Sequence, residues 1–146
     1  MVVAASYDGT AKLFDLETGE MTADLGKQQK VVFSAVFSPD GKVLVTGSSG
    51  EIRFWDPTDG KLLDTLIGNA GFIFALTFTP DGKRLASASG EGIIRLWDTE
   101  TKAQVLAIRT NSIRINLLAF TLDGNTLISH GAHENIRLWD ATPTAK

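Results

Sequence analysis

The sequence predicts an all-β fold in which one antiparallel unit is used several times over, and three observations support this. Short stretches rich in aromatic and aliphatic residues alternate with turn chemistry along the whole chain. A Pro-Asp-Gly turn or its variant recurs, with its aspartate at Asp40, Asp81 and Asp123, 41 and 42 residues apart. A closing aromatic-Asp pair recurs too, with its aspartate at Asp15, Asp56, Asp98 and Asp140, at spacings of 41, 42 and 42.

The unit is clearest in residues 74–98, FALTFTPDGKRLASASGEGIIRLWD. Residues 74–78 read as a strand that meets a hairpin. In that hairpin Pro80 presets φ, Asp81 can hydrogen-bond the local backbone, and Gly82 tolerates a positive φ. Asp40-Gly41 and Asp123-Gly124 repeat this turn. Residues 85–89 alternate one large side chain with Ala and Ser, as suits a strand pressed on both faces. After a Glu91-Gly92 turn, Ile94 and Leu96 point to one face of a third strand while Arg95 and Trp97 point to the other. The closing sequences are LFD, FWD, LWD and LWD, placing Phe14, Trp55, Trp97 and Trp139 at equivalent positions.

Two markers holding one period of about 40 to 45 residues are the signature of a four-stranded propeller blade. In these residues the chain resembles the WD-repeat β-propeller family, over nearly its whole length. Taken in order, residues 1–26 supply a second, third and outer strand without an inner one. Complete units follow at 31–68 and 72–109, then a unit at 113–140 without an outer strand, and a tail at 141–146. The expectation is an incomplete propeller of fourteen strands in four sheets. A blade face of roughly 300 Å² is worth on the order of 8 kcal/mol when apolar and buried. Bare terminal faces therefore predict either further blades of a longer chain or self-association into a ring.

Composition narrows the function. The net charge is formally −3 and there is no cysteine, which excludes thiolate catalysis and cysteine metal sites. No apolar run is long enough to span a membrane and no signal peptide is legible, so the expected location is cytoplasmic by default. Neither a metal nor a cofactor is expected. His130 and His133, near Asp123, Glu134 and Asp140, fall short of a ligand set, and no serine is paired by motif with a base. Lys12, Arg53, Arg95 and Arg137 recur on the third strand. With acidic residues beside them they read as stems packed along a strand with heads in solvent, rather than as a belt for nucleic acid.

The resemblance implies a hydrogen-bonded set of a Gly-His pair, a Ser or Thr on the second strand, a turn Asp and the closing Trp. Here Lys27-Gln28, Gly68-Asn69 and Thr110-Asn111 stand at the Gly-His position, and Phe14 cannot donate an indole N–H. A complete network is expected in no blade. The resemblance also implies that a protein or peptide is bound by loops at one rim. The candidates are Lys30, Phe72 and Arg114, with Tyr7, Glu91 and His133 on the neighbouring turns. The functional expectation is a non-catalytic protein-interaction scaffold. The alternatives are a self-assembling fragment, natural or engineered, with no dedicated ligand, or an accessory domain of an enzyme.

Overall fold

The computed structural model describes residues 1–28, 30–132 and 135–140, and among these it holds strands and turns but no helix. Strands β1 (Val2–Ala5), β2 (Thr10–Phe14) and β3 (Met21–Lys27) form a three-stranded sheet. A seven-stranded sheet follows, built from β4 (Ser34–Phe37), β5 (Leu44–Gly47), β6 (Ser49–Trp55), β7 (Leu62–Phe78), β8 (Arg84–Ser89), β9 (Ile93–Asp98) and β10 (Gln104–Arg109). The last sheet holds β11 (Ile115–Phe120), β12 (Thr126–Gly131) and β13 (Arg137–Asp140). Within each sheet every strand pairs antiparallel with its neighbour in sequence, giving meanders.

The 17-residue β7 serves two repeats. Its first part pairs with β6, from Leu62↔Trp55 to Ile67↔Glu51, and its second with β8, from Ile73↔Ser89 to Phe78↔Leu85. The fourteen strands in four sheets expected from sequence thus correspond to thirteen continuous strands, because Ser49↔Phe72 carries the ladder across the join.

Turn residues behave as their chemistry dictates. In the first hairpin of the second, third and fourth repeats a hydroxyl and a carboxylate close the turn together. Ser38 Oγ donates to Asp40 Oδ1 at 2.7 Å, Thr79 to Asp81 at 2.7 Å and Thr121 to Asp123 at 2.6 Å. At the closing turns, Asp15, Asp56 and Asp98 accept backbone N–H groups from Thr18, Thr58 and Thr101, each at 2.8 Å. Asp140 ends β13 opposite Thr126.

Successive repeats stack face to face, so the core lies in layers between them. Ala11, Leu13, Ala23 and Leu25 of the first sheet pack on Leu44 and Trp55. Val45, Ile52, Phe54 and Leu66 meet Ile73, Leu76, Phe78, Leu85 and Trp97. Ala86, Ala88 and Ile94 meet Ile115, Leu118 and Leu127. Ile94 and Trp97 therefore belong to different layers, as the period-two pattern of their strand predicts. Burial on both faces explains the sequence RLASAS of β8, where Leu85 to Ser89 are all fully buried and only small side chains fit between the large ones.

The polar network lacks its turn aspartate in the second repeat and so stays incomplete there, but Gln28, fully buried, takes the place of the histidine. Its Nε2 donates to Thr46 Oγ1 at 2.9 Å, and Trp55 Nε1 donates to the same hydroxyl at 2.9 Å. A glutamine amide reaches as far as an imidazole and carries both a donor and an acceptor, so it can fill the role. Trp97 and Trp139 likewise donate to Ser87 and Ser129, each at 2.9 Å. Phe14, without an indole N–H, has only packing to offer.

The recurrent arginines differ from expectation. Arg53 and Arg95 side chains are 17% and 12% exposed, and each is paired with a glutamate, Glu51 at 2.9 Å and Glu91 at 3.3 Å. They share a face with the closing tryptophans and are mostly covered, so each head meets a glutamate instead of standing free in solvent. Lys12, 4.0 Å from Asp24, sits half in solvent.

Candidate functional site

The meander sorts the loops between two ends. The turns after β1, β5, β8 and β12 share one end with the loops that enter β4, the second half of β7, and β11. The Pro-Asp-Gly turns and the closing turns lie at the other.

At the first end the structure gathers aromatic side chains from three repeats. Tyr7 comes from the turn between β1 and β2, Phe33 immediately precedes β4, and Phe72 and Phe74 lie on β7. Tyr7 and Phe33 meet edge to face with centroids 5.6 Å apart. Phe33 sits 5.0 Å from both Phe72 and Phe74, and those two are 6.1 Å apart. Such tilted contacts suit ring quadrupoles and fix the side chains. Arg114, from the loop entering β11, lays its guanidinium 4.2 Å from the Phe74 centroid, and its Nε donates to Asn116 Oδ1 at 2.8 Å. A fourth repeat thus joins the cluster.

The backbone beneath is tightly fitted. Gln28 N–H donates to Gly9 O at 2.7 Å and Val32 N–H to Ser6 O at 3.4 Å, which seats the Lys30 loop against the turn bearing Tyr7. At the equivalent place further on, the loop before β11 is pinned by Thr110, whose N–H and hydroxyl reach Gly92 O at 2.9 and 2.8 Å. Gly92 has φ 72°, and a Cβ there would lie 1.8 Å from Ser112 O, so only glycine allows this approach.

Of the rim residues singled out from sequence, Tyr7, Phe72 and Arg114 are brought together through Phe33 and Phe74. Lys30 lies exposed on the adjoining loop. Glu91 is engaged with Arg95. His133 lies outside the described residues, as does Glu134, while His130 is exposed on β12. Sequence reasoning missed Phe33 and Phe74. Their signal was present, since inner-strand aromatics that break the alternation of buried positions stand out once the strands are in register. Tyr7 is 79% exposed and Phe72 40%, so the cluster is a patch of partly open rings rather than a closed core.

At the opposite end a cleft of about 480 Å³ opens between the second and third repeats. Pro39, Phe54, Phe78 and Pro80 give it apolar walls, and Asp40, Asp81 and Lys102 supply charge. Lys102 holds its ammonium 4.0 Å from the Phe54 centroid and donates to Thr99 O. Burial pushes its pKa down, with Asp64 and Asp98 opposing the shift. The turn aspartates of this end are held below the ordinary 3.8, Asp81 chiefly by the Thr79 hydroxyl and Asp98 chiefly by the Thr101 N–H. Among the described residues, no three His, Asp or Glu side chains cluster as metal ligands, and no helix is long and apolar enough to cross a membrane.

Comparison with known proteins matches residues 19–56 and 60–98 to the WD domain, G-beta repeat. The chain is similar to the human F-box-like/WD repeat-containing protein TBL1Y, 50% identical over 42 residues, which are 29% of this chain and 8% of the relative. It is similar to mouse Coronin-7, 36% identical over 63 residues, 42% of this chain and 7% of the relative. The match to Pre-mRNA-processing factor 19 homolog 2 of Arabidopsis thaliana is longer, 36% identical over 94 residues, 62% of this chain and 18% of the relative. The chain therefore spans only a small part of the curated relatives it matches.

Proposed function

The chain belongs to the WD-repeat family, and from that premise we propose that it is a non-catalytic protein-interaction scaffold whose binding surface is the aromatic end of its repeats. The observation that carries this reading is the cluster Tyr7, Phe33, Phe72, Phe74 and Arg114. Partly exposed aromatics beside an arginine are the composition of energetically dominant contact sites. Side chains from four successive repeats meet there, so the site exists only in the folded stack. Selection of peptides from an unbiased display library tests the reading. Selected peptides should bind the wild-type chain and lose most of their affinity to the Phe72→Ala/Arg114→Ala variant. Undiminished affinity for that variant removes the rim from the assignment.

A second reading, association with further blades, draws on the outer faces of the first and last sheets. Leu117, Ile136 and Leu138 are 48%, 66% and 67% exposed, although their counterparts Ala75, Ile94 and Leu96 one repeat earlier pack into a core layer. Val2 and Met21, 43% and 53% exposed, accompany Phe14 on the first sheet. A second copy or the blades of a longer chain would cover such faces. Light scattering at several concentrations separates these occupants. A discrete oligomer supports the second copy, and a concentration-independent monomer rejects it.

A further inference from the structure

We propose that the aromatic end takes an acidic segment of its partner, seated by one aromatic or branched aliphatic side chain. This rests on the scaffold reading above and adds the partner's chemistry.

Charge is distributed unequally between the two ends. At the aromatic end, Glu51 and Glu91 are neutralised by Arg53 and Arg95 in pairs whose side chains are 12% to 32% exposed. Asp8 accepts the N–H and hydroxyl of Thr10 at 2.8 and 2.7 Å. Lys30, Arg109 and Arg114 are exposed there, and none pairs with a carboxylate among the described residues. Arg114 lies on the Phe74 ring with its Nε engaged by Asn116, and among the described residues nothing takes its terminal nitrogens. A guanidinium fixed in this way is prepared for a carboxylate, which it can meet with two parallel hydrogen bonds.

The far end is the opposite in sign. Asp15, Asp40, Asp56, Asp81, Asp98 and Asp123 stand there with Glu17, Asp59 and Glu100, and they outnumber the five cations of that end, of which Lys42 pairs with Asp40 and Arg84 with Asp98. An acidic segment is repelled from that end and drawn to the aromatic one, which orients the encounter before contact. The rings supply the anchor site. Phe33 fills the middle of the cluster, while Tyr7 and Phe72 leave edges open for one more apolar side chain. The same rings suit nucleic acid poorly, because they pack edge to face on one another and only Tyr7 offers a largely open face for base stacking.

Fluorescence anisotropy with designed probes tests the proposal on the intact chain. The probes are three labelled peptides, each with one central Phe flanked by Ser alternating with Glu, Gln or Lys, and a single-stranded oligouridylate. The Glu peptide should bind about ten-fold more tightly than the Gln peptide, the sum of several modest surface pairs. That advantage should vanish at high salt and in the Lys30→Gln/Arg109→Gln/Arg114→Gln variant, with near-ultraviolet circular dichroism confirming that the variant is folded. Tighter binding of the Lys peptide or of the oligonucleotide overturns the proposal, as does a Glu advantage that survives in the folded triple variant. If Glu and Gln peptides bind equally and both are lost on Phe72→Ala, the acidic preference fails while the scaffold reading stands. Failure of every probe also overturns the acidic preference, and the scaffold reading is then decided by the library selection alone.

Discussion

Lys102 holds its ammonium over the Phe54 ring from a backbone position with φ 60°, where the two preceding repeats place Gly19 and Gly60. A left-handed residue with a Cβ costs about 1–2 kcal/mol, and the cation–π contact returns about 0.5–1 kcal/mol at a partly exposed site. Lys102→Met keeps the strain and loses the charge, so it should cost about 1 kcal/mol. Lys102→Gly removes both and should stay within about 0.5 kcal/mol of the parent, because relief of strain is offset by the entropy of an added glycine. Urea unfolding of both variants gives the answer, and an undiminished midpoint for Lys102→Met would mean that the ring contact contributes nothing.

Thr46 is the hub of the one described network in which a side chain from the loop, a second-strand hydroxyl and a closing tryptophan all meet. Thr46→Val preserves shape and strands both the Trp55 indole N–H and the Gln28 amide in a fully buried place. The expected loss is about 2–4 kcal/mol, more than for a single unsatisfied group. Thr46→Ser should recover most of it. Denaturation midpoints of the two variants provide the check.

Close backbone approach makes Gly92 and Gly19 unequal despite a shared φ of 72°. Around Gly19 there is open space, so Gly19→Ala should cost only the left-handed penalty of about 1–2 kcal/mol. Gly92→Ala drives a Cβ into the Ser112 carbonyl and must displace the loop that carries Arg114. It should cost about 3 kcal/mol or more and weaken rim binding as well. Thermal melts alongside peptide affinity would separate the two effects.

Acid should loosen the fold through its turns. The carboxyls of Asp40, Asp56, Asp81 and Asp123 are held below 3.8 chiefly by a neighbouring Ser or Thr hydroxyl. A depressed folded-state pKa contributes stability that is whole above the unfolded value and fades as pH falls through the folded one. The urea midpoint should therefore be nearly flat from pH 7 to about 5 and decline below about 4. Changing these four aspartates to Asn, which can still accept the turn hydrogen bonds, should flatten the decline.

The repeat was legible because its markers are local. Asp40, Asp81 and Asp123 close turns with residues two positions away, and a pattern at that range is written directly in the chain. The layering of Ile94 against Trp97 followed from strand alternation for the same reason. Gln28 was not legible as a network member, because its partner Thr46 lies 18 residues on and the role is usually carried by another residue type. The aromatic site was half legible. Tyr7, Phe72 and Arg114 fall on loops at one end, but the rings that join them, Phe33 and Phe74, lie at the start of and within strands, where an aromatic residue ordinarily means core. Nor could the covering of Arg53 and Arg95 be read from sequence, since it is a property of the stack.

The unbroken course of β7 bears on how the molecule comes apart. A chain of separate repeats behaves as a one-dimensional array in which each unit opens with its own free energy, coupled only through faces. Here the two middle repeats share a backbone ladder as well as a face, so they form a single cooperative block. Amide protons on both halves of β7 should exchange with one common opening free energy, and those of β1 and β13 with lower ones. The period visible in the sequence, about 41 residues, is then shorter than the unit that actually melts.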